Sequence, residues 1–494
     1  MINKIKTKLP SLPVFRNWIS LVGLLLTAGS LFAFVFLMIL EVTTHGENPY
    51  VGILAFLIIP MCLITGLAVI GLGLLVERRS IIKRSDGQVP PLLFLDFSQP
   101  HVRRNLLIFS FAGTVVLLFT TVMIYRGYHF TESPQFCGQV CHSVMQPEFT
   151  TYQHSPHARL SCAECHIGSG ASWYVKSKIS GLRQVYAMAR KNYSRPILTP
   201  VKNLRPAQDT CEQCHWPSKF VGNLDRSYVH YLADSSNTPF TVRLLLKVGG
   251  GDANHGPVGG IHWHMNVGNR VEYIARDDLH QVIPWVRVTN RQGESREYKT
   301  AEFKPDPATD KIQVMDCMDC HNRPSHIFQS PDAAVNLALA LGRLDPSMPG
   351  IKKAAMEALT APYETVDEAM KKIATGIQAR YPGDSRTLQA VAAVQSIYND
   401  NFFPEMKTNW KTHPNNLGHK EFPGCFRCHD GEHKSADGKL SIKANDCGTC
   451  HIILAQGKGE QLDNLNAKGH SFAHPGGDLD EGAKCSECHT GGLQ

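Results

Sequence analysis

Seven times along this chain a pair of closely spaced cysteines is followed at once by a histidine, and this recurrence limits what the chain can fold into. The motifs run Cys137–Cys141–His142, Cys162–Cys165–His166, Cys211–Cys214–His215, Cys317–Cys320–His321, Cys425–Cys428–His429, Cys447–Cys450–His451 and Cys485–Cys488–His489. Zinc knuckles and thioredoxin-like pairs also use Cys-x-x-Cys, but neither needs a histidine after every pair. The pattern is that of c-type haem attachment. Two thiols add to the two vinyl groups of a haem, and the adjoining imidazole reaches the iron as an axial ligand. Seven haem c groups are therefore expected. Of the fifteen cysteines only Cys62 is left over, inside an apolar run, where it reads as a small buried hydrophobe.

A formal net charge of +7 would suit a polyanion partner, but +6 of it belongs to residues 1–126. The remainder is nearly neutral before haem propionates are added, so no nucleic-acid partner is expected. The excess sits around three apolar runs, Trp18–Leu40, Val51–Val76 and Asn105–Tyr125, each long enough for a bilayer needing about 20 residues. Lys4, Lys6, Lys8 and Arg16 precede the first run, and loop 77–104 carries further Lys and Arg, whereas loop 41–50 has none. By the positive-inside rule the N-terminus and loop 77–104 are cytoplasmic. Everything after Arg126 is then delivered to the periplasmic side, where bacteria attach haem c. No His, Asp, Glu, Lys or Arg lies inside the three runs, so they anchor without conducting electrons or protons.

The first motif is irregular, with three residues between its cysteines; a disulfide or a lost site is the bland alternative. Met145 follows His142 by three residues and either competes for the iron or simply packs. Between 171 and 195, Trp173, Tyr174, Tyr186 and Tyr193 alternate with Lys176, Lys178, Arg183, Arg190, Lys191 and Arg195, as in a segment lying on lipid headgroups. Residues 238–303 read as short strands between turns, an insertion between haem motifs. It holds His262 and His264, either of which is a candidate distal ligand for a haem without a local partner. Helical spacing marks 333–344, 351–359, 366–379 and 386–398. His419, His433 and His474 are spaced between the last three motifs as distal ligands would be, with His413 and His470 as weaker candidates.

Cys141-His142-Ser-Val-Met145, with His157 five residues before Cys162, resembles the NapC/NirT family, which includes NrfH-type quinol dehydrogenases. Cys317-Met-Asp-Cys320-His321-Asn-Arg-Pro-Ser-His326 is similar to that family's last haem motif. The resemblance implies that Met145 binds the first haem iron, which faces the quinol with an open side. It implies His326 as distal ligand of the second haem and His157 as that of a later one. Lys178 matches the family's quinol-pocket lysine, with Arg183 beside it, and Gln184 stands where an acid is expected. The family has one transmembrane helix against three runs here, and one fewer residue between the first two cysteines. The tail from 410 resembles three-haem cytochromes of the c7/c3 type.

The expected fold class is a membrane-anchored multihaem cytochrome c: three transmembrane helices, then a mostly helical and irregular haem-packed periplasmic part with a small β-rich insertion. Its divisions are 1–128 (anchor), 129–326 (tetrahaem domain), 327–409 (helical segment) and 410–494 (trihaem module). The resemblance implies an inner-membrane quinol dehydrogenase. It would take electrons from menaquinol or ubiquinol and pass them to a periplasmic cytochrome or reductase, and ultimately to extracellular acceptors in anaerobic respiration. Two alternatives are a relay subunit of a larger complex and a terminal nitrite- or hydroxylamine-type reductase. The second loses ground because no Cys-x-x-Cys-Lys occurs.

Overall fold

A segment in lipid has no water to satisfy its peptide groups, so the apolar N-terminal part closes its hydrogen bonds as helices. The computed structural model describes residues 17–43, 54–84, 100–140, 142–168, 170–201, 205–250, 259–266, 268–443, 447–478 and 483–492. It divides into two compact units, Met1–His142 and Ser143–Gln494.

In the first unit α1 (Trp18–Thr43) packs against α2 (Ile59–Arg84), and α3 (Pro100–Thr131) follows. Small residues let α1 and α2 approach closely, the usual device where no hydrophobic force acts between helices. A Cβ on Gly66 would stand 2.5 Å from Thr27 Oγ1, and one on Gly23 2.7 Å from the Ile70 nitrogen. Thr27 donates to the Gly23 carbonyl at 2.8 Å, and Asn17 Nδ2 to the Gly73 carbonyl at 3.0 Å. Phe119 of α3 meets Phe34 edge-on at 4.6 Å, and Met123 is buried with Phe34 and Ile59. Two helices are long and apolar enough to cross a membrane among the described residues, Trp18–Ile39 and Ile59–Glu77. Three were expected. The third run lies inside the continuous 32-residue helix α3, which is not one of the two.

The second unit begins one residue into α4 (His142–Gln153) and continues with α5 (Cys162–His166), α6 (Ala171–Ala189) and α7 (Ala207–Cys211). Among the described residues eight strands follow: β1 (Leu224–Tyr231), β2 (Pro239–Leu246), β3 (Arg270–Ile274), β4 (Trp285–Thr289), β5 (Ser295–Lys299), β6 (Ile312–Val314), β7 (Lys434–Ser435) and β8 (His451–Gly457). They form two antiparallel sheets, ordered β1-β2-β8 and β6-β3-β4-β5-β7. The β-rich insertion is thus wider than 238–303, and it is not self-contained. Each sheet takes an edge strand from the C-terminal tail: Leu246 pairs with His451, and Tyr298 with Ser435.

The fourth motif forms α8 (Cys317–Cys320), and between it and the fifth come α9 (Pro331–Ala340), α10 (Ile351–Thr360), α11 (Val366–Arg380) and α12 (Thr387–Asn401). α9 to α12 match the helical spacing read from the sequence. They enclose a conventional core in which Val335, Leu344, Met348, Ile351, Ala355, Ile373 and Val394 are fully buried. Caps set their starts, since Ser330 and Thr365 each accept a backbone N–H of the first turn. The seventh motif docks on this core: Trp410 Nε1 donates to the Thr490 carbonyl at 3.0 Å, and the Asp332 N–H to Gly491 at 3.0 Å. Gly491 takes φ +78, and a Cβ there would strike Trp410 Nε1 at 2.8 Å.

Candidate functional site

A Cys-x-x-Cys segment wound into one helical turn puts both thiols on one side, and the next residue closes the turn. Four of the motifs close it alike: the N–H groups of His215, His321, His429 and His489 bond to the carbonyls of Cys211, Cys317, Cys425 and Cys485 at 2.8, 2.8, 3.0 and 2.7 Å. Local acids cap the turns. The Ser161 N–H donates to Glu164 at 3.2 Å, the Asp316 N–H to Asp319 at 2.6 Å, and Asp316 accepts from Met318 at 2.7 Å.

Opposite each of the six regular motif histidines stands a second imidazole from elsewhere in the chain. Ring centres lie 6.2 Å apart for His166 and His326, 6.2 Å for His215 and His157, and 6.3 Å for His321 and His262. They lie 5.9 Å apart for His429 and His264, 6.3 Å for His451 and His419, and 5.9 Å for His489 and His474. With a metal–nitrogen bond of roughly 2 Å and about 1 Å more to the ring centre, two imidazoles on opposite faces of one metal have centres roughly 6 Å apart. Donor set and spacing therefore fit a haem iron at each regular motif.

The second imidazoles are oriented for the task. His157, His262, His264 and His326 hold Nδ1 against the carbonyls of Pro324, Val248, Ile261 and Glu148 at 3.2, 2.8, 2.9 and 2.9 Å. A carbonyl only accepts, so the proton sits on Nδ1 and the lone pair on Nε2 is free for a metal. His474 differs: its Nδ1 accepts from the Gly476 N–H at 3.1 Å, a bond that ligation through Nε2 would exchange. Burial lowers the pKa of His166, His264, His321, His326, His419, His429, His451 and His489, which favours the neutral, ligating form.

The loop after the fourth motif ties these sites together. Arg323 and Glu148 form a buried ion pair at 3.1 Å, and Arg323 Nε donates to the His326 carbonyl at 2.7 Å. His326 faces the second motif's histidine, while the Pro324 carbonyl holds His157, which faces the third's. Neither Glu148 nor Arg323 was singled out from sequence, although Arg323 lies inside the very motif that suggested His326. Also unforeseen is Asp332, held between Lys352 at 2.7 Å and Lys420 at 2.6 Å. Against the cost of burial, those two ammonium groups hold its carboxyl well below the usual range.

Three expectations change. His433 is fully buried with Nδ1 2.9 Å from Asp430 and Nε2 2.8 Å from the Ile283 carbonyl, so neither nitrogen is left for a metal. His262 and His264 are not alternatives, since each faces a different motif histidine. Lys178, Arg183 and Gln184 do not converge: at about 100° per residue they are spread by roughly 100–140° around the α6 axis. Gln184 Nε2 donates to the Ser180 hydroxyl at 3.4 Å. Lys178 stands over the Tyr174 ring at 4.7 Å. Of the weaker candidates, His413 bonds Thr199 and His470 the Asn464 carbonyl. Cys141 and the His142 side chain lie outside the described residues; Met145 is half-buried on α4.

Residues 99–197 match the model of the NapC/NirT cytochrome c family, N-terminal region. The chain is 42% identical to the cytochrome c-type protein ImcH of Geobacter sulfurreducens, over 96% of this chain and 95% of that protein. It is 31% identical to the cytochrome c-type protein NrfH of Wolinella succinogenes, over 20% of this chain and 58% of that protein. With the cytochrome c nitrite reductase subunit NrfH of Nitratidesulfovibrio vulgaris the figures are 30%, 18% and 55%. No solved structure matches.

Proposed function

The chain belongs to the NapC/NirT cytochrome c family of membrane-anchored electron-transfer proteins with covalently bound haem, and on that premise we propose that it is an inner-membrane quinol dehydrogenase. In this reading seven haem c groups pass electrons from membrane quinol to a periplasmic cytochrome or reductase, and finally to acceptors outside the cell. The observation that carries the relay is the set of six opposed imidazole pairs, all 5.9–6.3 Å apart. Two nitrogen ligands suit an iron that changes charge without binding substrate, which also weighs against a terminal reductase. The haems would supply one-electron exchange; the polypeptide binds, orients and insulates.

Quinol oxidation is assigned to the first motif, where Met145 rather than an imidazole is the proposed ligand and where the chain leaves the membrane. With the three spans expected from the sequence, that motif would lie on the periplasmic side. Lys178 is retained at the quinol site, where its charge favours a quinol that must lose two protons with its two electrons. Arg183 and Gln184 are not, because they point elsewhere around the helix. The second reading, a relay subunit whose quinol site another chain completes, draws on the same dispersal. A short-chain quinol added to the purified full chain separates them. Immediate haem reduction, abolished by Met145→Ala, is expected; reduction only after a partner subunit is added would replace the first reading by the second.

A further inference from the structure

We propose that one turn, His262–Trp263–His264, supplies the second axial imidazole to two different haem sites, those of the fourth and fifth motifs, and that Arg427 staples these motifs into a fixed pair. This rests on the reading that the motifs hold haem, and not on quinol as the donor. The pair would be the joint between the family-like part of the chain and its C-terminal tail.

Two imidazoles two residues apart on a three-per-turn helix leave the backbone roughly 120° apart, so they cannot serve one iron. The rings accordingly diverge: His262 lies nearly parallel to His321, at 4°, and His264 faces His429 at 83°. Each ring is separately fixed through Nδ1, to Val248 and to Ile261. Trp263 between them is driven into the cluster of Val271, Tyr273, Ile283 and Val286, where it joins Met315 and Cys428. One of these precedes the fourth motif and the other is a thiol of the fifth. Gly250, at φ +139, makes room, since a Cβ there would collide with the His262 carbonyl group.

Arg427 lies between the cysteines of the fifth motif and Asp319 between those of the fourth. Arg427 Nη2 donates to the Asp319 carbonyl at 2.6 Å, and Nη1 to the His280 carbonyl at 2.8 Å. Asn416 Nδ2 donates to the same Asp319 carbonyl at 3.0 Å. A guanidinium that ligates nothing is thereby built into one haem-attachment turn and bonded to the next.

The test uses the full chain in detergent, first counted for haem by mass spectrometry, then studied oxidised by low-temperature EPR and near-infrared magnetic circular dichroism. His262→Met and His264→Met should each convert one bis-imidazole centre to an imidazole–thioether centre, a different one in each variant. The double variant should convert two. A thioether raises the potential of its own centre. In His264→Met the centre identified by His262→Met should therefore titrate at a lower midpoint, because its neighbour fills first and adds negative charge beside it. Loss of the same centre in both variants, loss of none, or an unmoved midpoint would overturn the proposal. Arg427→Gln keeps every ligand; it should leave haem content unchanged and shift those two midpoints only. A shift of one, of none, or of all centres counts against the staple. Absence of haem from the fourth or fifth motif in the wild type would instead defeat the underlying reading, while inertness toward quinol would leave the joint standing.

Discussion

His413 is 5% exposed and spends Nδ1 on the Thr199 hydroxyl at 3.1 Å, while its Nε2 is buried without a partner. Burial first, and the Arg323 guanidinium second, push its pKa from 6.5 down to about 4. The unfolded chain therefore takes up this proton at higher pH than the folded one. The stability that His413 carries as a neutral ring is complete above about pH 6.5 and is lost as pH falls toward 4. Thermal midpoints measured across that window should fall less steeply in His413→Gln than in the wild type. The Arg323–Glu148 pair makes a second residue-scale prediction. Arg323→Ala strands a carboxylate that is 9% exposed and should cost about 3–5 kcal/mol. Removing Glu148 as well should recover part of it, which a double-mutant cycle on unfolding midpoints would read.

Among the elements, α6 exposes an apolar face. Val175, Ile179, Leu182 and Tyr186 are 50–72% exposed, and their spacing sets them on one face, with Lys178 and Arg183 on either flank and Gln184 opposite. Basic residues bordering an apolar stripe suit an interfacial helix. A photo-crosslinking residue at 182 is expected to label lipid in nanodiscs, and one at 184 is not; equal labelling would remove the helix from the surface. The alternation of rings and charges in 171–195 already suggested this, because one helix writes its own periodicity. Strand β8 shows the reverse. His451-Ile-Ile-Leu-Ala455 begins at a haem-motif histidine, and nothing local distinguishes it from a haem-held tail. It becomes a strand because β2 offers an open edge with matching register.

At the scale of the whole molecule, the second unit mixes two ways of making a core. Residues 331–410 bury a contiguous cluster of side chains around Val335, Ile351, Ile373 and Val394. The motif-bearing segments hold far less, and their histidines face one another across gaps that fit a haem. Chain made without haem attachment should therefore keep a protease-resistant fragment near 331–410, with helical circular dichroism, while the motif-bearing segments are digested. Uniform digestion would show that haem supports the helical core too. Gly491→Val, which would drive a side chain into Trp410, is expected to loosen the seventh motif and spare the others, seen as one altered low-spin signal.

Cofactor class and family affiliation could be read from the chain alone, because the Cys-x-x-Cys-His signature is local chemistry written in a few adjacent residues. The four haem-free helices were legible for a similar reason: their apolar period and caps lie within each helix. The imidazole pairing was legible only in part. His157, His326, His419 and His474 are candidates in the sequence and do face motif histidines, whereas His262 and His264 read as alternatives there, and His433, well spaced, is engaged by Asp430 and Ile283 instead. An imidazole becomes a ligand only when the fold sets its Nε2 opposite another ring and fixes its proton on the far nitrogen. Those conditions depend on carbonyls, strand edges and glycine clearances contributed from across the chain, and so they were decided in three dimensions.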